Sequence, residues 1–221
     1  MSYLIRVSLP DVPGSLGQLA EAFGMVDADI NSVDIVETSL DGTVTDDIVV
    51  TLPTGVMVDT LITAVATVEG AEVDSIRPFT GRVDRRGQIQ MLASIAANSG
   101  RIEDTLDQLV GVMPSAVTSS WAVVLRNTPK GLVRVAASPA APEDDGSTPN
   151  MPLIDASRVL QPDFDEWAPE SWFQLGTALT VTPLPGTDMI LVIGRVGGPD
   201  YLASEVREIG DLGCIVGAML R

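Results

Sequence analysis

The side chains able to do chemistry in this 221-residue chain are defined first by what is missing: there is no histidine and a single cysteine, Cys214. Imidazole is the commonest general base and a common zinc ligand, so Ser-His-Asp and Cys-His nucleophile systems are excluded. One thiol makes neither an internal disulfide nor a thiolate metal cluster. Carboxylates remain, 30 of them against 13 Lys and Arg. Asp46 and Asp47 are adjacent in a strand-like stretch, where neighbours face opposite sides, and read as a solvated edge rather than a metal pair. Glu143-Asp144-Asp145-Gly146 lacks the alternate-position oxygens of a calcium loop and reads as loop solvation. Cys214, among Leu212, Ile215 and Val216, reads as a small buried hydrophobe. No phosphate-binding G-x-x-x-x-G-K loop is present, and Gly14-Ser15-Leu16-Gly17 lacks nucleophile-elbow spacing. The sequence therefore predicts no catalytic residue, no metal and no cofactor.

The net charge of −17 is spread unevenly. Residues 1–80 carry 13 acidic and 2 basic side chains, and residues 88–221 carry 16 and 8. Between them, Gly81 to Gly87 contains Arg82, Arg85 and Arg86 and reads as a polar linker. So acidic a chain repels phosphate backbones and anionic membrane surfaces, which argues against nucleic-acid and membrane partners. The start, Met1-Ser2-Tyr3, leads directly into an alternating stretch with no basic-then-apolar leader, and no run nears ~18 apolar residues. The cytoplasm is the expected location.

The periodicities divide the chain into residues 1–80, a linker at 81–87, and residues 88–221. In the first part Tyr3, Ile5, Val7 and Leu9 alternate as a strand. Pro10-Asp11-Val12-Pro13-Gly14 turns it. Leu16, Leu19, Ala20 and Phe23 follow at helical spacing, with a start signalled either by Ser15 and Gln18 as a capping box or by Asp11 with Pro13. Strands at 30–38 and 43–52 flank the hairpin turn Asp41-Gly42. Met57, Leu61, Val65 and Val68 mark a second helix, widened by Val58 and Ile62, and a strand at 71–76 closes the part. This βαββαβ order predicts a split, ferredoxin-like sheet with both helices on one face. Its other face and its edges then need cover, which a second copy commonly provides. In the second part, Ile89, Leu92 and Ile95 mark a helix stopped at Asn98-Ser99-Gly100, and a further helix from Ile102 is stopped by Pro114. Strand pairs at 121–137 and 178–196 and a C-terminal helix complete it, with a long loop at 138–152. Trp121, Trp172 and Phe173 read as core, or as the lining of a pocket.

The run Asp11-Val12-Pro13-Gly14-Ser15-Leu16 resembles the D-x-P-G-x-L turn of ACT domains, and Ala28-Asp29-Ile30 resembles that family's approach to its second strand. The resemblance covers most of residues 3–78. It implies a regulatory module that binds an amino acid or similar small metabolite between two copies, with Asp11, Pro13, Gly14, Ser15, Leu16, Asp29, Ile30 and Asn31 at the site. The chemistry fits. Gly14 lets the backbone approach a ligand, and the N–H groups of Gly14, Ser15 and Leu16 lie where a helix start favours a carboxylate by ~0.3–1 kcal/mol. Where the family often has Asn, this chain has Asp29, an acceptor for an ammonium group. More weakly, the second part resembles a GAF sensory domain, through Leu191, Gly194-Arg195 and Gly198-Pro199-Asp200-Tyr201 leading into the helix at Glu205.

The expected fold class is α+β: an N-terminal ferredoxin-like ACT module followed by a GAF-like antiparallel sheet with flanking helices. The expected function is non-enzymatic: a homodimer through the ACT sheet that binds a small metabolite and relays to a separate regulated protein. Two alternatives stand beside it: a dimerisation and interaction module without a ligand, and an enzyme using carboxylates in the GAF-like pocket.

Overall fold

The computed structural model of the protein describes residues 1–79, 85–97, 102–150 and 152–221, with side chains in the 85–97 segment from Gln88 onward. The chain divides into two compact units, Met1–Val83 and Asp84–Arg221.

The first unit runs β1 (Ser2–Pro10), α1 (Ser15–Gly24), β2 (Asp29–Thr38), β3 (Thr43–Thr51), α2 (Asp59–Val65) and β4 (Glu72–Pro78). All its strand pairs are antiparallel, in the order β2-β3-β1-β4. Alternation explains the layers. Ile5, Val7 and Leu9 of β1 and Ile48 and Val50 of β3 pack against Leu19 and Phe23 of α1 and Leu61 and Val65 of α2. On the opposite face Leu4, Val49 and Phe79 form a smaller cluster. Leu4 and Val49 are buried. The stripe expected on α2 is too broad: Met57 precedes the helix and is exposed, and Ile62 lies on the exposed face opposite Leu61, Ala64 and Val65.

The second unit begins inside the expected linker. Residues 81–84 lie outside the described residues, but Arg85 already opens α3 (Arg85–Ala97). The helix faces inward through Met91 and Ile95 rather than Ile89, which is 69% exposed. The expected stop at residues 98–100 lies outside the described residues. Helix α4 (Ile102–Ala116) passes through Pro114 instead of ending there, since a proline in the last turn forgoes only one backbone bond. Strands β5 (Trp121–Thr128), β6 (Gly131–Ala137), β7 (Arg158–Leu160), β8 (Ala178–Leu184) and β9 (Met189–Arg195) form an antiparallel sheet ordered β6-β5-β9-β8-β7, and α5 (Ala203–Met219) ends the unit. Helices α3, α4 and α5 cover one face through Met91, Leu109, Ile209 and Val216. Ile154, Leu160, Ala168 and Trp172, from the segment after the long loop, cover the other. The mixed α+β class with two antiparallel sheets is thus as expected. Cys214 is exposed rather than buried: Leu212 and Val216 set the inward face of α5, and Cys214 points away from it. No described helix is long and apolar enough to cross a membrane.

Candidate functional site

In the first unit the turn between β1 and α1 is open backbone. The Asp11 N–H donates to the Gly42 carbonyl at 2.8 Å, Val12 to Pro10 at 2.9 Å, and Ser15 to Val12 at 3.2 Å. Gly14 caps the helix at φ 101°, in the left-handed region that favours glycine, and no side chain bonds the first turn. Neither expected start signal, Ser15 with Gln18 or Asp11 with Pro13, acts as a cap. Ser15 is instead buried with its N–H committed to Val12, so one of the three amides expected to meet a ligand is occupied. Asp11, Pro13, Gly14 and Leu16 are exposed, and a Cβ at Gly14 would meet nothing within 4 Å.

The second cluster lies on the edge strand β2. Asp29 and Asn31 are exposed, while Ile30 packs against the helix-side core. Asn31 sits where the register shifts. Its Nδ2 donates to Asp29 Oδ2 at 3.5 Å, and its Oδ1 accepts from the Thr51 hydroxyl at 2.7 Å. The two clusters do not meet. Asp29 is opposite Thr51, and Thr51 opposite Ser2, whereas the turn follows Pro10, which is opposite Thr43. Eight residue steps along β1 separate those rungs, about 26 Å at the rise of a strand.

Asp46 and Asp47 lie on an interior strand and are both buried, not solvated. They do face opposite sides. Asp47 takes a two-pronged bond from Arg6, Nε to Oδ1 at 2.7 Å and Nη2 to Oδ2 at 2.8 Å. Asp46, in register with Val7 and Ile35, keeps a buried Oδ1 without a hydrogen-bond donor. Burial, then the charges of Asp34 and Asp47, push its carboxyl above the usual range.

The second unit holds two hollows of opposite character. A cleft of about 450 Å³ beside α5 is lined by Asp155, Ser157, Thr182, Arg207, Asp211 and Cys214. Ser157 and Thr182 satisfy each other there. On the far face of the sheet, a cavity of about 20 Å³ lies among Leu125, Leu132, Arg134, Asp144, Trp167 and Trp172. Trp172 meets Trp121 edge to face at 5.6 Å between ring centres. The cavity is floored by aromatic and aliphatic surface, yet two of its lining N–H groups, Arg134 Nε and Trp172 Nε1, are buried without an acceptor. Sequence reasoning passed over Arg134, although a lone arginine in the apolar alternation Leu132-Val133-Arg134-Val135-Ala136 is the signal that marks it.

Behind this cavity Asp165 organises the covering segment. It accepts from both terminal nitrogens of Arg158, at 2.9 and 2.6 Å, from the Gln161 N–H at 2.9 Å and from the Trp167 indole at 3.0 Å. The Arg158 bonds foremost, with Gln161 and Trp167, hold its carboxyl down at about 2. Among the described residues no three His, Cys, Asp or Glu side chains converge as a metal set.

No family model matches the chain, and no curated relative matches it. Among solved structures, the GAF domain of a phosphoenolpyruvate-protein phosphotransferase from Acinetobacter is 13% identical, covers 60% of this chain and 92% of its own, and has a TM-score of 0.46. The corresponding GAF domain from Coxiella burnetii is 13% identical, with 61% and 93% coverage and a TM-score of 0.44. A formyltetrahydrofolate deformylase from Pseudomonas putida KT2440 is 8% identical over 37% of this chain, with a TM-score of 0.31. This chain spans 30% of the deformylase's length.

Proposed function

We propose that the chain is a non-enzymatic regulatory protein whose first unit, an ACT-like module, binds an amino acid between two copies and relays that binding to a separate partner protein. The observation that carries this reading is the separation of the two exposed clusters. Residues 11–16 and 29–31 end the same sheet at opposite extremes, so one small molecule cannot touch both within a chain. A second copy turned end for end brings the turn of one chain to the β2 start of the other. The α1 start, uncapped by any side chain, then receives the ligand carboxylate, and Asp29 receives its ammonium. Ligand and dimer stabilise each other, because the site exists only in the dimer. Two carboxylates of the second unit support a non-enzymatic reading. Asp144 and Asp145, beside the small cavity, accept from the N–H groups of Gly146 and Ser147 in their own loop, and Ser147 holds the Asp145 carboxyl below the usual range. An ionised, self-satisfied carboxylate is a poor general acid.

Dimerisation without a ligand is the second reading, favoured by the exposed Val33 and Ile35 on the β2 edge. Sedimentation and thermal unfolding across a panel of amino acids separate the two. A ligand at ~100 times its dissociation constant adds ~2.7 kcal/mol of stability and drives association. If no amino acid changes either readout, the sensor reading fails. Gly14→Asp, which sets a carboxylate against the helix start, abolishes the response, while the equally strained but neutral Gly14→Asn retains part of it.

A further inference from the structure

The second unit carries an unmet electrostatic demand that is independent of the amino-acid site. Trp172 is 3% exposed and its indole N–H has no acceptor; Arg134 Nε, lining the same cavity, has none either. Both groups are donors only, and one bears a positive charge. No protein acceptor reaches either donor, and burying such donors is costly, so an acceptor brought into the cavity gains both hydrogen bonds. Other parts of the arginine are engaged. Its Nη1 donates to the Pro142 carbonyl at 2.6 Å, and its guanidinium carbon stands 5.8 Å from the centre of the Trp172 ring. Two carboxylates, Asp144 and Asp145, stand at the rim; Asp144 is 52% exposed, and its Oδ2 stops 3.9 Å from Arg134 Nε, beyond hydrogen-bond range.

We propose that this cavity is a binding site for a small monocarboxylic acid with an apolar or planar remainder. The carboxylate of the ligand takes the position that Asp144 approaches but does not fill, one oxygen on Arg134 Nε and the other on Trp172 Nε1. Two oxygens match two donors, whereas a more highly charged phosphate is disfavoured by Asp144 and Asp145 at the rim. Leu125, Leu132, Trp167 and Pro169 supply the surface for the remainder. At about 20 Å³ the cavity holds roughly one water, so binding requires the loop at 143–147 to swing outward. The structure is built for that movement. Leu132 N–H bonds the Pro149 carbonyl at 2.7 Å, and a Cβ at Gly131 would meet the Thr148 and Pro149 backbone, so the base of the loop is fixed. Its tip is exposed; Asp144 and Asp145 accept hydrogen bonds from within it, and Asp144 reaches the sheet through the 3.9 Å ion pair with Arg134.

The test is a titration of the full chain with benzoate, read by tryptophan fluorescence and thermal unfolding, with benzamide and inorganic phosphate in parallel. Benzoate gives a saturable response, and benzamide and phosphate give none. Trp172→Phe keeps an aromatic ring but loses the indole N–H, and weakens benzoate severalfold. Asp144→Asn, an exposed change that leaves the fold intact, tightens benzoate severalfold by removing its competitor. The proposal is overturned if benzoate does not saturate, if benzamide responds equally, or if Asp144→Asn leaves the affinity unchanged or weaker. A failure of benzoate to saturate would mean the two donors are met by a water alone. Gly14→Asp leaves the benzoate response intact, so this site and the amino-acid site stand or fall separately.

Discussion

Two buried sites, one in each unit, leave opposite needs unmet. At Asp46, in the first unit, the atom without a partner is an acceptor, Oδ1; beside the small cavity of the second unit the atoms without partners are donors, Arg134 Nε and Trp172 Nε1. A buried acid can meet its own need by taking up a proton, and the raised carboxyl of Asp46 is that response. A guanidinium and an indole have no such escape, since neither can discard its N–H near neutral pH. The difference teaches that an orphaned carboxylate is a weak sign of a ligand, whereas orphaned fixed donors are a strong one. The carboxylates Asp47 and Asp165 complete the contrast, as each is met by a two-pronged arginine.

Removing one of those arginines breaks the contrast most forcefully. Arg6→Ala strands Asp47, 2% exposed, without its main partner, and lowers first-unit stability by about 3–5 kcal/mol in urea unfolding. Replacing both residues together with apolar ones, Arg6→Met and Asp47→Leu, recovers most of that loss. Next in size is Asp165→Asn, which costs about 2 kcal/mol at neutral pH. Its folded carboxyl titrates at about 2, below its ordinary value. The stabilisation is therefore complete above the ordinary carboxyl range and is lost as pH falls through about 2. The gap between wild type and variant closes over that window. The smallest effect has the reverse sign. Asp46 titrates above its ordinary value, so its charged form destabilises the fold as pH rises. Asp46→Asn raises the melting temperature at neutral pH, and the gain shrinks as pH falls into the ordinary carboxyl range. A variant less stable than wild type at neutral pH would show that Asp46 is satisfied after all.

The alternation of β1 was legible in the sequence, because Tyr3, Ile5, Val7 and Leu9 commit every second residue to the helix-side core; that Leu4 and Arg6 are buried on the other face was not. Helix phase was less so. On α3, Ile89 and Met91 both offer an apolar side, and only packing chooses Met91 with Ile95. Asp46 and Asp47 were misread because polarity suggests solvent, while an interior strand position overrides it once one partner, Arg6, lies on the facing rung. The turn at residues 11–16 was visible as punctuation. That its partner cluster lies at the other end of the sheet follows from register, which no local pattern encodes. Arg134 and Trp172 meet through a long irregular segment without periodicity, so nothing local links them.

The loop over the small cavity is tied at both shoulders, by Arg134 to the Pro142 carbonyl and by Leu132 to that of Pro149, with an exposed stretch between. The polypeptide is therefore severable there. A protease cut or an inserted reporter between Glu143 and Ser147 would leave two pieces that remain docked to one sheet. This makes the tip a natural point for splitting the second unit into fragments that reassemble, or for attaching a fluorescent label without touching its core.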